Sequence, residues 1–144
     1  MDLIKFEAGY VVVDRDQEFL ILVIIKKNHV MQDLKSRFFK FAVDTGELLQ
    51  GLEFNQINKA YSNQLIRSSS STGANYRAAL RGKSTADFIN KLKIVEEELD
   101  ESTYFLDLIR HFNPKKKERI IELTKECNEL LAIIVASIKT SRRK

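Results

Sequence analysis

A chain of 144 residues, 44% hydrophobic and 31% charged, has the size and composition of one globular domain with a single core. One proline and five glycines leave little material for a turn-rich β protein, and the single cysteine, Cys127, excludes an internal disulfide framework and fits a reducing, cytoplasmic compartment. No segment holds the ~20 apolar residues of a membrane span. The net charge of +4 is modest, so its distribution is more informative than its size.

Residues 1–30 differ in pattern from the rest of the chain. Residues 10–13 and 19–25 are rich in β-branched side chains and flank a polar segment, 14–18, which predicts a β-hairpin. A lone hairpin is marginal in water, and Met31 directly precedes a clear helical pattern. We therefore expect an atypical N-terminal extension over residues 1–30, hairpin or disordered, and a separate domain over residues 31–144. A natural start at Met31, with an over-extended reading frame before it, is an alternative origin of the extension.

The first two helical patterns cover residues 32–50 and about 55–80, and Gly51 and Gly82 fit their C-terminal ends. The first has a core stripe at spacings of four and three: Leu34, Phe38, Phe41, Thr45 and Leu48. The second has a stripe within an arc of roughly 80°: Ile57, Tyr61, Leu65, Ser68, Thr72, Asn75 and Ala79. Ser68, Thr72 and Asn75 make this a structural polar core that allows close helix approach. We expect Asn75 to bond a polar group of the third helix near residues 87–91, because a buried amide needs partners.

The third and fourth patterns cover about 84–109 and 114–138. Ser84 or Thr85 is a good N-cap, and Asp87 falls in the first turn. The third stripe is Phe88, Leu92, Val95, Leu99, Ser102, Leu106 and Ile109, and the fourth is Ile120, Thr124, Cys127, Leu131, Ile134 and Ile138. Pro114 suits a first helical position, and we expect the basic tail, 139–144, to fray. Four helices with short connections predict an all-α, antiparallel, up-and-down four-helix bundle.

Basic side chains form one stripe on the second helix. Between residues 54 and 86 there is no acid, and Lys59, Arg67, Arg77 and Arg81 lie opposite the core arc, with Lys83 just beyond. These cations could contact phosphates. The alternative is that they pair with the acids of the third helix between residues 96 and 101, in the same or a neighbouring subunit. Aromatic residues for base stacking are sparse, and Tyr76 is the one candidate beside the stripe.

Two further basic clusters are Lys115, Lys116, Lys117 and Arg119, and the tail residues Arg142 and Arg143. Each is a candidate nucleic-acid contact or an ordinary solvated surface. The sequence predicts no enzyme, cofactor or metal site, because it lacks a phosphate loop, zinc spacing, a nucleophile elbow and the Glu-x-x-His pairs of di-metal bundles. The carboxylate run at 96–101 fits a solvated or intersubunit face. Cys127 fits a small buried hydrophobe, and His111 fits a helix end.

Residues 64–109, together with 136–140, carry a family pattern. Its elements are Gln64, Arg67-Ser68, residues 73–79 (GANYRAA), Lys83-Ser84, residues 86–89 (ADFI), Lys91-Leu92, residues 94–98 (IVEEE), Asp100-Glu101 and residues 136–140 (ASIKT). This pattern closely resembles the four-helix-bundle family named for proteins encoded in 23S ribosomal RNA intervening sequences. The resemblance covers about residues 31–144. Residues 1–30 have no counterpart in it, and the connection at 111–114 (HFNP) lacks the family's usual Gly-Leu turn.

The resemblance implies a cytoplasmic, bacterial-type bundle that assembles as a homopentamer and has no known enzymatic activity. Relatives of this fold are accessory factors of reverse transcriptases in diversity-generating retroelements, where a basic pentamer binds nucleic acid. The first functional hypothesis is therefore a non-enzymatic, homo-oligomeric accessory protein associated with RNA or DNA, with a reverse transcriptase as a further partner and no membrane. The alternative is a structural or protein-interaction oligomer whose charged faces serve subunit assembly and bind no nucleic acid.

Overall fold

The computed structural model describes the backbone of residues 2–6, 9–13 and 15–143, and the side chains of residues 33–143. Its contacts divide the chain into two compact units, Met1–Leu34 and Lys35–Lys144. The second unit holds almost all the side chains that bear on function. No helix in the described part of the chain is long and apolar enough to cross a membrane.

The first unit contains a hairpin that differs from the predicted one. Strand β1, Asp2–Phe6, pairs antiparallel with strand β2, Gly9–Val13. The strand over residues 10–13 is thus confirmed, but its partner precedes it. The predicted second strand, residues 19–25, lies instead in helix α1, Arg15–Gln50. A short apolar run does not distinguish a strand from a helix by periodicity, which explains the error.

The buried positions of α1 are the predicted ones. Leu34, Phe38, Phe41, Thr45 and Leu48 are all buried, which confirms the stripe. Thr45 is compatible with a core because its hydroxyl donates to the carbonyl oxygen of Phe41 over 2.7 Å. The helix begins 17 residues before the predicted residue 32, at Arg15, and ends at Gln50, next to Gly51.

Helix α2, Gln56–Leu80, packs closely because its core stripe is made of small residues. Asn55 caps it, accepting from the backbone N–H of Asn58 over 2.8 Å. Leu65, Ser68, Thr72 and Ala79 are buried as predicted, whereas Tyr61 and Asn75 are half-buried and Ile57 is exposed. A Cβ at Gly73 would lie 3.2 Å from the Cβ of Phe38, so a glycine here permits the close approach of α1 and α2.

Helix α3, Thr85–Phe112, follows its predicted stripe. The Ser84 hydroxyl oxygen caps it by accepting from the Asp87 N–H. The stripe is buried from Leu92 to Ile109, and Phe88 at its start is half-buried. Each fully buried aliphatic side chain contributes roughly 1.5–3 kcal/mol before ordering entropy is subtracted. Five such side chains are enough to hold α3 in the bundle: Leu92, Val95, Leu99, Leu106 and Ile109.

The last helix, α4, Lys117–Arg142, corrects three predictions. Pro114 begins a 3₁₀ turn, Pro114–Lys116, rather than α4 itself. The helix continues to Arg142, four residues beyond its predicted end at Ile138. Leu123 and Leu130 are buried in place of the predicted Thr124 and Leu131, which are half-buried. Adjacent stripes of α4 are both apolar, so neighbouring helices decide which one faces the core.

Within the second unit the four helices form an antiparallel bundle, as predicted. α1 contacts α2 at Phe38–Tyr76, α2 contacts α3 at Ser68–Ser102, and α3 contacts α4 at Thr103–Cys127. α4 closes the ring on α1, where Arg37 bonds Glu126 at 2.9 and 2.8 Å. Because chain direction alternates, the α1–α2 and α3–α4 connections share one end, and the α2–α3 turn shares the other with the C-terminus of α4.

Candidate nucleic-acid interface

The basic stripe of α2 is exposed, and one of its members is already neutralised within the chain. Arg67 bonds Glu98 at 3.2 and 3.3 Å and Glu101 at 2.5 Å, both on α3. The hydrogen bonds that Arg67 donates to Glu101, and then those to Glu98, raise the pKa of its guanidinium. The alternative reading of the stripe, pairing with the acids of α3, therefore holds for Arg67 in its own subunit.

The other cations of the stripe have no such partner. Lys59, Arg77, Arg81 and Lys83 are exposed, and among residues 33–143 none of them forms an ion pair. Among residues 33–143, the acids of the third helix without an ion pair are Asp87, Glu96, Glu97 and Asp100. The basic stripe of the second helix therefore contains one arginine that is paired within the described part of the chain, Arg67, and two that are not, Arg77 and Arg81.

The remaining predicted cations divide between the two ends of the bundle. Lys115, Lys116 and Lys117 are exposed at the end that holds the α3–α4 connection, and Lys116 Nζ lies 3.4 Å from where a Cβ of Gly51 would be. Arg142 and Arg143 are exposed at the opposite end. Arg119 is engaged by Glu122 at 2.9 Å and Asp44 at 3.4 Å, and the bond to Glu122 is the main cause of its raised pKa.

The end formed by residues 77–87 and 138–143, here called the basic end, concentrates positive charge. Its cations are Arg77, Arg81, Lys83, Lys139, Arg142 and Arg143, and Asp87 is its one acid. No ion pair engages these cations in the described residues. Several positive charges with few negative charges among them attract polyanions. Only the fold brings the two segments together, because they are 50 residues apart in sequence.

The predicted role of Asn75 is wrong. Its side-chain amide donates to the Ser71 carbonyl oxygen at 3.0 Å and contacts the Ser71 hydroxyl at 2.9 Å, both within α2. The polar contact between α2 and α3 is made by Ser68 and Ser102, whose hydroxyl oxygens are 2.9 Å apart. Thr72 donates to the Ser69 carbonyl oxygen over 2.7 Å. The small-residue core is thus satisfied mostly within its own helix, which removes the need for an amide across the hairpin.

Tyr76, the predicted stacking residue, is not available to a ligand. Its side chain is 4% exposed and its ring lies 5.0 Å from that of Phe38. Burial raises the pKa of its hydroxyl to about 12. Tyr76 is therefore a core residue, and this prediction is corrected.

A chain of aromatic rings that the sequence reasoning missed lies at the other end of the bundle. Ring centroids are 6.2 Å apart for Tyr61–Phe105, 5.9 Å for Tyr61–Phe112 and 5.5 Å for Tyr104–Phe105. His111 lies against Phe112 at 5.0 Å. The available signal was Phe105 and Phe112, seven residues apart and so on one face of α3. Their partner on α2 is 44 residues away, which concealed the cluster.

The loops at this end are joined by a reciprocal amide pair. The Asn58 side chain donates to Asn113 at 3.0 Å and accepts from it at 2.8 Å, and it also donates to the Glu53 carbonyl oxygen at 2.9 Å. Asn113 donates to the Ile109 carbonyl oxygen as well. Residues 51–61 and 104–117 are here called the aromatic end. The Asn58–Asn113 pair connects the two segments of the aromatic end, so it holds the backbone beside the aromatic rings in place.

The described residues offer few side chains that could act in catalysis. Cys127 is buried and its thiol donates to the Leu99 carbonyl oxygen over 3.3 Å. Burial raises the pKa of the thiol to about 11, which disfavours the nucleophilic thiolate. No group of three or more potential metal-ligating His, Cys, Asp or Glu side chains occurs among the residues that the structure describes.

Comparisons with known proteins agree with this fold. The sequence profile of the 23S rRNA-intervening sequence protein family matches residues 32–136. A crystal structure at 1.70 Å of a protein of unknown function, from the S23 ribosomal protein family of Bacteroides thetaiotaomicron VPI-5482, is similar with a TM-score of 0.66. The two chains share 32% sequence identity, over 74% of this chain and 98% of that one. A search of curated proteins finds no significant match.

The matched region begins at residue 32, in α1, and includes most of α4. It therefore covers the aromatic end and residues 77–87 of the basic end, and it stops before residues 138–143. The family is not a known enzyme family, and the related structure is itself of unknown function. Sequence profile and structural similarity agree, and this chain belongs to the family of 23S rRNA-intervening sequence proteins.

Proposed function

We propose that this protein is a non-enzymatic, homo-oligomeric accessory protein that binds RNA or another nucleic acid through phosphate contacts at its basic end. The observation that carries the proposal is the set of exposed cations without ion pairs in the described part of the chain, above all Arg77 and Arg81 on α2 with Arg142 and Arg143 on α4. Lysine and arginine contacts to phosphate supply most of the sequence-independent affinity for nucleic acid.

The contrast with Arg67 supports this assignment. Arg67 belongs to the same stripe, but two carboxylates already accept its hydrogen bonds. A phosphate would have to displace them, whereas at Arg77 and Arg81 it meets only water. The proposed nucleic-acid surface therefore excludes Arg67 and begins at Arg77, in the last turn of α2. The cluster at Lys115, Lys116 and Lys117 is a separate surface at the far end of the bundle.

The homo-oligomeric part of the proposal is supported by exposed apolar side chains on α1 and α2. Phe39 is 72% exposed, and Val43 and Ile66 are also exposed along a shallow groove between the two helices. Groups of exposed apolar side chains are typical of interaction surfaces. The subunit number of five and the reverse transcriptase partner come from the resemblance and stay predictions.

The alternative function is a structural oligomer that binds no nucleic acid. The observation that favours it is the same groove, together with the exposed acids Glu97 and Asp100 on α3, which are complementary in sign to the basic end of a neighbouring copy. In that arrangement Arg77 and Arg81 would serve assembly. Native mass at low and high salt tests this, because an assembly held by these charges dissociates as salt screens them.

The deciding experiment measures binding of a fluorescent 20-base-pair duplex, as RNA and as DNA, by the intact oligomer at 50 mM salt. The double variant Arg77→Gln/Arg81→Gln is expected to lose at least tenfold in affinity. The matched control is Arg67→Gln, an arginine of the same stripe, and its affinity should stay within twofold of the parent. An intact oligomer that binds neither duplex at 50 mM salt would rule the proposal out, as would equal losses in the two variants.

A further inference from the structure

We propose that the aromatic end is a second nucleic-acid site, which holds unpaired bases of a single strand by stacking them on exposed rings. This inference rests on the proposed nucleic-acid binding and adds a ligand class to it. The basic end has no aromatic residue in its segments, 77–87 and 138–143, so it offers phosphate contacts alone. The aromatic end combines rings with lysines, which is the combination that single-strand binders use.

Aromatic rings at this end are exposed to solvent, and the packing of the bundle core does not account for their exposure. Phe54 is 88% exposed in the α1–α2 connection, and Phe112, the last residue of α3, is 48% exposed. At 100° per residue Phe112 lies about 60° from Ile109 and about 120° from Leu106, so it flanks the core stripe of α3 and is not part of it. Two exposed phenylalanines beside connections of one bundle end form an apolar surface that water solvates poorly.

The geometry leaves room for a base on Phe112. Tyr61 supports its ring from the α2 side at 5.9 Å with an interplanar angle of 39°, and His111 meets it edge-on at 85°. Half of the Phe112 side chain is still exposed with both neighbours in place. A base that stacks on this ring therefore finds a supported platform and displaces no protein contact.

Cations for the strand's phosphates follow Phe112 directly. Lys115 and Lys117 are exposed, three and five residues after it, and neither forms an ion pair among residues 33–143. Two carboxylates of α3 near the rings are engaged, since Asp107 pairs with Arg110 at 3.6 Å and Glu101 with Arg67, whereas Asp100 forms no ion pair among residues 33–143. Glu53 and Glu118 are the carboxylates of the flanking segments without an ion pair. The local balance still favours a polyanion.

The amide pair of Asn58 and Asn113 positions the platform. Asn113 follows Phe112 in sequence, and the Asn58 amide also bonds the Glu53 carbonyl oxygen, next to Phe54. The two connections are thereby held together at the level of their aromatic residues. Asn58 is a positioning residue because it supports the loops and is itself buried. Preorganised rings cost a ligand less ordering entropy on binding.

The test compares three probes on the intact oligomer: a dT 12-mer, an abasic 12-mer with the same phosphate backbone and charge, and a 12-base-pair duplex, which carries two such backbones. The dT 12-mer should bind about tenfold tighter than the abasic strand, since one stacked base is worth that much. Phe112→Leu keeps an apolar side chain without a ring and should remove this advantage. Duplex affinity should be unchanged, which also shows that the variant is folded.

A direct readout uses the absence of tryptophan from the sequence. Phe112→Trp retains a ring and places the chain's one tryptophan on the platform, so the dT 12-mer should quench its fluorescence while the abasic strand does not. Ile94→Trp, at an exposed apolar residue of α3 outside both ends of the bundle, is the control and should not respond.

Equal affinity for the dT and abasic strands overturns the inference, and so does an equal loss of affinity for all three probes in Phe112→Leu. If the duplex still binds in either case, the proposed function stands. If none of the probes binds at 50 mM salt, the proposed function fails and the stacking site fails with it.

Discussion

The two ends of the bundle carry similar numbers of cations but differ in what accompanies them. At the basic end, Arg77 and Arg81 come with small and aliphatic neighbours, and the one ring nearby, Tyr76, is buried against Phe38. At the aromatic end, the lysines after Phe112 come with exposed rings and with loops joined by the Asn58–Asn113 pair. Charge alone therefore does not define a site here. Under the two proposals, the neighbours of the cations decide whether a surface would contact phosphate or base.

The largest expected effect separates the ends by their salt dependence. If about four phosphates are contacted at the basic end, duplex affinity should fall about 100-fold between 50 and 200 mM salt, because counterion release gives a slope near −0.9 per contact. The ratio of dT to abasic affinity should stay nearly constant over the same range, because stacking releases no counterions. Anisotropy titrations at four salt concentrations measure both. A ratio that falls in parallel with the duplex affinity would mean that both ends act by charge.

Next in size is the effect of breaking the amide pair. Asn58→Ala leaves the Asn113 amide without its partner in a half-buried place and should cost about 1–3 kcal/mol of unfolding free energy. The double variant Asn58→Ala/Asn113→Ala should cost less than the sum of the two single variants, which a denaturant-unfolding cycle detects.

The control for this prediction is Asn128→Ala, at an exposed amide of α4 that forms no hydrogen bond in the described residues. It should stay within about 0.5 kcal/mol of the parent. Asn58→Ala should also weaken single-strand binding more than duplex binding. Additive single-variant costs would show that the two amides do not support the aromatic end jointly.

Alkaline pH should destabilise the bundle through two buried groups. Burial raises the pKa of Cys127 from 9.0 to about 11 and that of Tyr76 from 10.0 to about 12. The unfolded chain releases these protons at lower pH than the folded one, so stability is complete below about pH 8 and declines as pH rises above 9. The expected loss is about 2 kcal/mol between pH 7 and pH 10.

Urea unfolding at pH 7, 9 and 10 measures this loss. Cys127→Ala should remove most of the decline between pH 9 and 10, and Tyr76→Phe should matter only above pH 10. Tyr76→Phe also tests the comparison of the two ends, because it shows whether the aromatic ring nearest the basic end is a core residue. A decline that is unchanged in both variants would assign the alkaline sensitivity to other groups.

The smallest expected effect concerns the middle of the bundle, between the ends. Ser68→Ala should cost about 0.5–1.5 kcal/mol, because Ser102 keeps its bond to the Glu98 carbonyl oxygen at 2.8 Å. Ser68→Ala/Ser102→Ala should be nearly neutral relative to the single variant, since no hydroxyl is left unpaired. Neither should alter binding of any probe. If either variant changes the binding of a probe, the buried serines influence the binding surfaces, which contradicts this prediction.

The predictability of the fold differs among the helices for a physical reason. The α3 stripe from Leu92 to Ile109 is predictable because mostly polar residues flank it, and the α1 stripe is predictable from its spacing although Phe39 and Val43 outside it are apolar and exposed. On α4, Leu123 and Leu131 belong to adjacent apolar stripes, so periodicity alone does not choose between them. In the first unit, residues 19–25 satisfy a strand pattern locally but form part of a continuous helix.

The sequence by itself determined the four-helix bundle, its caps and turns, and the family, because these depend on residues close together in the chain. The tertiary structure decided which candidate site residues are free. It pairs Arg67 with two glutamates, buries Tyr76, brings Arg77 to the end that holds Arg142, and assembles Tyr61 with Phe112. Each outcome depends on which helices are neighbours. Local periodicity gives the face of one helix and carries no information on what lies opposite it.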